Sequence, residues 1–316
     1  METGRQTSEQ TRQRVTLAAE LYYVYHLTQA QIARQLNVSR VWVSKLLRKA
    51  QEAGIVKIEV DTGSAGVREA ERALMQKYGV ARAKVVRYAG EGGALDQCGR
   101  AAANFLAGIL RPSDCVGVFW GNTLAAMAEQ CVPLHFPDVT VTSLVGGIGQ
   151  NADLVSNQIS YKLADKLGAK SQPMHAPGMV AGAQARDTLM QDAAIAQAVA
   201  ASEETDVLVL GMGTLRNQTL VRSGCVSEDE FSELEALGAV GDIALHFVDE
   251  TGAPVDHPVQ QRVLCGDIMR TRSHAREVIG VASGVEKAAV LHAALAGEWL
   301  TTVVTDNRTA NALLMI

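Results

Sequence analysis

The stretch SRVWVSKLLR, residues 39–48, holds side chains suited to the edges and phosphates of a nucleic-acid duplex. Laid on a wheel at about 100° per residue, Val43, Leu46, Leu47 and Ala50 (two residues on) share one side, the side that must face a core. Val41, Lys45 and Arg48 point away from it, with Ser44 at the edge. An outward valine is wasted on water but suits the methyl group of a thymine. Lys45 and Arg48 can reach guanine edges or phosphates, and Arg40 at the helix start lies close to the backbone or a base. With Thr28, Gln29 and Ser39 at the starts of the two helices, these are the candidate DNA contacts. The bland reading is ordinary solvated charge on a small helical bundle. Trp42, about 40° from Leu46 on the wheel, is expected to pack partly.

A second set of residues suits small anionic ligands. Glycines follow four strand-like runs, in FWGNT, VGGIG, LGMG and ASGVEK. Glycine lets backbone N–H groups approach a ligand, and helix N-termini favour phosphate, although glycine turns also simply join strands to helices. Lys287 is expected in the first turn of the helix after ASG, where a cation opposes the helix dipole and a bound anion would offset that cost. The alternative is a pair with Glu286 or extension into water. Asp242, in GAVGDI, either accepts hydrogen bonds from sugar hydroxyls or caps a turn.

The elements that hold the first set read as a helix-turn-helix. RQRVTLAAELYYVYH is a helix with Val15, Ala18, Leu21, Tyr22 and Tyr25 on one face. Thr28 and Gln31 make a capping box for a second helix, which stops at Asn37-Val38-Ser39, where asparagine takes the left-handed turn that glycine usually fills. Ser39 caps a third helix running to about Ala53, Gly54 ends it, and VKIEV alternates as a short strand, a wing. Ile32, Leu36, Val38, Val43 and Leu46 fill the apolar positions, and Ala33 is small where two helices cross.

The expected domains are 1–60, an all-α winged head, and 61–316, a body joined through the small-residue linker 62–66 and a helix at 67–78. In the body, AKVVRY, CVGVFW, VTVTSLV, DVLVLG, IALHFV, EVIGVAS and LTTVVTD read as strands. Helices are expected at CGRAAANFLAGIL, LAAMAEQ, SNQISYKLADKL, SEDEFSELEAL and KAAVLHAALAG. This alternation predicts an α/β, doubly wound, mostly parallel sheet, with ligands beyond the carboxyl ends of its strands.

Composition agrees with a folded chain of two domains. Of 316 residues 47% are hydrophobic and 20% charged. The net charge of −5 divides unevenly: residues 1–60 hold nine Lys/Arg against five Asp/Glu, leaving 20 against 29 for the rest. A basic head on an acidic body suits one polyanion-binding domain attached to something else. No apolar run approaches the roughly 18–20 residues of a membrane span, and METGRQTSEQ has no signal-peptide core, so a cytoplasmic chain is expected. Five scattered cysteines read as buried free thiols, and the histidine spacing points to no metal.

The segment ELYYVYHLTQAQIARQLNVSRVWVSKLLRKAQEAGIVKIEV resembles the head of SorC-type, sugar-responsive bacterial transcription regulators. VGVFWGNTL, LVGG, LGMGT, GAVGDIALHFVDETG and VASGVEKAAVLHAALAGEWLTTVVTDNRTANALL continue the resemblance through the body. It implies a body similar to the sugar-isomerase and glucosamine-phosphate deaminase fold, kept as a sensor without its chemistry. The effector would be a sugar or sugar phosphate, the regulator a dimer or tetramer, and no cofactor is implied. By position, Gly121, Asn122 and Thr123 would cradle a phosphate, Gly146, Gly147, Gly211 and Gly213 would line the pocket, and Asp242 and Lys287 would contact the ligand. Two departures stand out. Ser283-Gly284 replaces a frequent Gly-Gly, and Val145 stands where some members have a basic residue, which argues against a second phosphate on the effector. Gln150 and Asn151 nearby suit an unphosphorylated or singly phosphorylated sugar.

The leading expectation is therefore a DNA-binding regulator controlled by a small carbohydrate effector, not an enzyme. Its position between head and body makes the helix at 67–78 a natural transmitter. An alternative is a sugar-phosphate isomerase or deaminase with an appended regulatory head, for which no acid/base pair stands out beyond Asp242. A third is a helix-turn-helix that makes protein contacts alone.

Overall fold

Two hydroxyl side chains start the helices of the N-terminal unit. Thr28 Oγ1 accepts from the Gln31 backbone N–H at 3.3 Å, and Gln31 Oε1 accepts from the Thr28 N–H at 2.8 Å, a reciprocal capping box. Ser39 Oγ accepts from the Trp42 N–H at 3.2 Å. The computed structural model describes residues 12, 14–24, 27–56, 65–87, 93–148, 156–216 and 218–316, and the chain divides into units of residues 1–62 and 63–316.

In the first unit α1 covers 14–24, its last five residues, Glu20–Val24, widening into a π-helical turn. Helix α2 is Gln29–Gln35 and α3 is Arg40–Glu52. Asn37 between them has φ 53°, and Gly54 after α3 has φ 68°, the two left-handed positions that the sequence leads one to expect. Ile32 and Val43 are wholly buried, packed with Leu21, Ala33 and Leu47, while Val15, Ala18, Ala19, Leu46 and Ala50 form a second cluster. The expected VKIEV strand lies outside the described residues beyond Val56, and Tyr25 lies outside them too.

The second unit is built on strands β1 Arg82–Val86, β2 Cys115–Val118, β3 Thr140–Ser143, β4 Lys170–Gln172, β5 Val207–Thr214, β6 Gly241–Ile243, β7 His246–Val248, β8 Glu277–Val281 and β9 Thr302–Asp306. Its helices are α4 Ala65–Tyr78, α5 Ala94–Ile109, α6 Asn122–Gln130, α7 Ser156–Leu167, α8 Ala183–Leu189, α9 Ala193–Glu203, α10 Gln218–Ser223, α11 Glu228–Ala236, α12 Ile268–His274, α13 Ala288–Ala296 and α14 Asn307–Met315. Seven strands pair in parallel in the order β1-β9-β8-β5-β2-β3-β4. From β2 the chain winds outward through β3 and β4. It then returns to lay β5 on the other side of β2 and winds outward through β8 and β9. The direction of winding thus reverses between β2 and β5, which opens a crevice at their carboxyl ends.

The central strands are apolar on both faces, as helices above and below require: Val207, Leu208, Val209 and Leu210 of β5 are completely buried. All five cysteines are free, and burial pushes the thiols of Cys98 and Cys265 up to about 12 and that of Cys115 up to about 11. Among the described residues no helix is long and apolar enough to cross a membrane.

One expected strand, IALHFV, is instead a hairpin. Strand β5 runs parallel to β8 as far as Gly211, then from Met212 pairs antiparallel with β6, and β6 turns back into β7 through Ala244 and Leu245. Both turn residues have positive φ, 52° and 64°, at a cost of roughly 1–2 kcal/mol each. Neither is the glycine or asparagine that announces such a turn. Leu245 and Phe247 are wholly buried, and Asp242 Oδ2 accepts from the Leu245 N–H at 3.2 Å, so burial and the carboxylate together hold the turn. In thermal unfolding, Asp242→Ala should lose about 1–3 kcal/mol by leaving a buried N–H without its acceptor. Ala244→Gly, which relieves a left-handed alanine, should stay within about 1 kcal/mol of the parent chain. Equal losses for the two variants would contradict this account of the turn.

Candidate functional site

A cavity of about 450 Å³ lies at the β2/β5 reversal. Its wall is formed by residues 119–123 after β2, residues 211–214 of β5, Arg216, Asp242 and Ala244 of the hairpin, and Glu286 and Lys287 ahead of α13. The size suits a small metabolite.

Gly121 is required by conformation rather than by space. Its φ is 125°, a region closed to other residues, yet nothing stands within 4 Å of where a Cβ would be. It leads into α6, which begins with no side-chain cap, so the first-turn N–H groups, at Asn122 and Thr123 of the cavity wall, have no side-chain acceptor. Gly211 is favoured by space, because a Cβ there would stand 3.1 Å from the Trp120 carbonyl oxygen, a tight contact. Gly213 sits against Gly241, where a Cβ would come within 2.4 Å of the Gly213 carbonyl oxygen.

Lys287 stands one residue further out than the sequence suggests. Val285–Lys287 form a 3₁₀ turn, and Lys287 occupies the N-cap position of α13. Its Nζ donates to Thr123 Oγ1 at 3.4 Å, so one cation bridges the starts of α6 and α13. Burial lowers the lysine pKa from its ordinary value, opposed by the nearby carboxylates of Glu286 and Asp242. The ammonium there is held against both desolvation and the helix dipole.

The loop before Lys287 is anchored from beneath by Asp306, the last residue of β9 and the N-cap of α14. Its Oδ2 accepts from Ser283 Oγ at 3.1 Å and from the Gly284 N–H at 3.0 Å, and its Oδ1 accepts from the N–H groups of Arg308 and Thr309 at 2.9 and 3.0 Å. Burial works against ionisation here, but the donors from Thr309, Gly284 and Ser283 outweigh it and hold the carboxyl below its usual value. Ser283, the departure from Gly-Gly, thus has a defined partner.

Gly121, Asn122, Thr123, Gly211, Gly213, Asp242 and Lys287 therefore meet at one cavity. Gly146 and Gly147 do not line it. Gly147 N–H donates to the Ala176 carbonyl at 3.0 Å, Gly178 N–H donates back to Gly147 at 2.7 Å, and a Cβ on Gly146 would overlap the Ala176 oxygen. Those two glycines let residues 145–147 pack against 176–178. Gln150 and Asn151 lie outside the described residues. Sequence reading missed Arg216 and Glu286 in the wall. Arg216 pairs with Glu228 at 2.7 Å and Glu235 at 3.3 Å and lies over the Phe231 ring. The signal available was a lone basic residue just after LGMG, followed by the acidic run SEDEFSELE.

In the N-terminal unit Arg40, Ser44, Lys45 and Arg48 are exposed along α3, and Val41 is 67% exposed. Trp42 is 36% exposed, with the Arg14 guanidinium 6.0 Å from its ring, so it packs partly at the surface. Thr28, Gln29 and Arg40 border one groove with Tyr22 and Tyr23. The Thr28 hydroxyl is engaged in the capping box, donating to Gln31 Oε1, and Arg48 faces Glu52 at 3.7 Å on the solvated side.

Comparison with known proteins matches residues 64–315 to the sugar-binding domain family, Sugar-bind. The deoxyribonucleoside regulator of Bacillus subtilis (strain 168) is 30% identical over 304 residues, 94% of this chain and 96% of that protein. The transcriptional regulator LsrR of Klebsiella pneumoniae subsp. pneumoniae is 28% identical over 306 residues, 96% of this chain and 93% of that protein. The crystal structure of the full-length sorbitol operon regulator SorC from Klebsiella pneumoniae matches with a TM-score of 0.73 at 29% identity, covering 97% of this chain and 99% of that one. The chain belongs to the sugar-binding domain family and is a transcriptional regulator of the SorC type.

Proposed function

We propose that the cavity binds a sugar bearing one phosphate and that its occupancy sets the affinity of the α2–α3 unit for operator DNA. The observation that carries this reading is the half-buried Lys287 ammonium beside the uncapped start of α6. Two independent sources of positive potential there face one cavity. Gly121 lets the phosphate approach the first-turn N–H groups, Thr123 and Lys287 supply further donors, and Asp242 at the wall accepts from sugar hydroxyls. Two of the relatives named above are a deoxyribonucleoside regulator and a sorbitol operon regulator, in keeping with a carbohydrate effector. The regulator works without turning its effector over.

On the DNA side Arg40, Val41, Ser44, Lys45 and Arg48 contact the major groove, with Thr28, Gln29 and Ser39 near the backbone. A homodimer or homotetramer presents two such helices to half-sites one or more helical turns apart, about 10 bp each.

A thermal-shift screen of sugars and sugar phosphates, followed by anisotropy titrations of labelled operator, tests the effector site. Lys287→Ala should abolish the shift produced by the stabilising sugar phosphate while leaving effector-free DNA binding within about two-fold. A normal response in that variant sinks the anion role. Because burial lowers the pKa of Lys287, the charged form is the proton-bound one and the anion favours it. Affinity for the phosphate should therefore fall as pH rises through that lowered value, sooner than an exposed lysine would dictate, and binding near it should take up protons. Calorimetry in buffers of different ionisation enthalpy reads this directly, and proton release would contradict it. For DNA, Lys45→Ala or Arg48→Ala should weaken binding by about 1–3 kcal/mol if the side chain reads a base, or reduce the log–log salt slope by about 1 if it holds a phosphate. No change in either quantity removes the residue from the interface.

A further inference from the structure

One tyrosine touches both the helix that follows the Lys287 loop and the helix whose N-cap holds that loop. Helix α13 starts directly after Lys287 and carries His292, and α14 starts at Asp306, which holds Ser283 and Gly284. The Tyr78 hydroxyl, at the end of α4, donates to the Leu313 carbonyl of α14 at 3.0 Å and accepts from His292 Nδ1 of α13 at 2.9 Å. Lys77 Nζ adds a second donor to the same carbonyl at 3.0 Å. The middle of α4 is pinned elsewhere, because Glu71 Oε1 accepts from the Val85 N–H of β1 at 3.0 Å. Helix α4 is thus packed into the body along its length through Val67, Ala70 and Leu74, and its polar ties are to the edge strand at Glu71 and, at its end, to α13 and α14.

We propose that Tyr78 is the coupling residue of this regulator. A change in the 282–287 loop shifts the starts of α13 and α14, and Tyr78 passes that shift to α4, the helix that follows the DNA-binding unit in the chain. The proposal rests on the cavity reading for its trigger, not for its wiring. When Lys287 turns from Thr123 to an anion, the 3₁₀ turn moves, and the Gly284 N–H pulls on Asp306. Nine residues of helix transmit displacement with little loss, since helices move as rigid bodies. Burial raises the Tyr78 pKa, so the phenol keeps the proton it donates.

Hydrogen exchange on the full chain tests the wiring without any ligand. Asp306→Asn should speed exchange of residues 282–287 and also of the last turn of α4 by about five-fold, with α7 unchanged. In a Tyr78→Phe background, Asp306→Asn should still loosen 282–287 but leave α4 where Tyr78→Phe alone puts it. The proposal is overturned if α4 ignores Asp306→Asn, or if it responds equally with and without the tyrosine hydroxyl. Should α7 speed up as well, the body is loosening as a whole, and Ser283→Ala then serves as the milder perturbation with the same two outcomes. Inorganic phosphate added to the parent chain separates the proposals. Protection of 282–287 that extends to α4 supports the relay, and protection that stops at the loop overturns it. No protection at all overturns the anion site, while the variant comparison still decides the relay.

Discussion

The carboxylate of Asp306 is the point at which strand, helix and cavity loop are tied to one another. Strand β9 passes into α14 without an intervening residue, so the same side chain ends the strand, caps the helix and accepts from the backbone of Gly284. Five donors converge on its two oxygens in a mostly buried place, and they hold the carboxyl below its usual value although burial pushes the other way. Were the loop free, Lys287 would have no fixed position relative to Thr123. The ammonium on the cavity wall would then be one more mobile surface charge.

The remaining geometry follows from the order of the strands. A parallel sheet that winds outward in two directions from β2 and β5 must leave a gap at their carboxyl ends, and helices begin around that gap with their positive ends. The antiparallel extension of β5 into β6 and β7 closes one side and brings in Asp242, at the expense of two left-handed residues. The cavity thus joins a parallel half, which supplies N–H groups, to an antiparallel half, which supplies a carboxylate. A phosphorylated polyol needs both.

Much of this was legible in the residues, and the gaps have physical causes. Thr28, Gln31, Ser39, Asn37 and Gly54 are residues whose chemistry admits few positions relative to a helix, and each stands at such a position. The hairpin was not legible because Ala244 and Leu245 carry no turn signal, and tertiary burial overrode their local preference. Helix α9, AAIAQAVAASE, has alanines on every side and hence no apolar stripe to count. Glycine is ambiguous in another way: its sequence position does not say what the missing Cβ makes room for. At Gly211 it is the carbonyl of Trp120, at Gly241 the carbonyl of Gly213, and at Gly146 the carbonyl of Ala176. Arg216 was passed over because a single charge after a strand has no periodicity to mark it.

The uncapped start of α6 has a consequence for how such a regulator evolves. Serine or aspartate in place of this N-cap glycine would ordinarily add a few tenths of a kcal/mol, yet the backbone at Gly121, with φ 125°, refuses both. Stability that a neighbouring side chain would normally contribute is thereby withheld from the chain and, on the proposed reading, left for a bound anion to provide. A lineage selected for a hardier fold is pressed toward filling that position, and one selected for responsiveness is pressed to leave it empty. On the proposed anion reading, the robustness of the protein and its sensitivity to an effector are set at the same glycine, and they trade against each other.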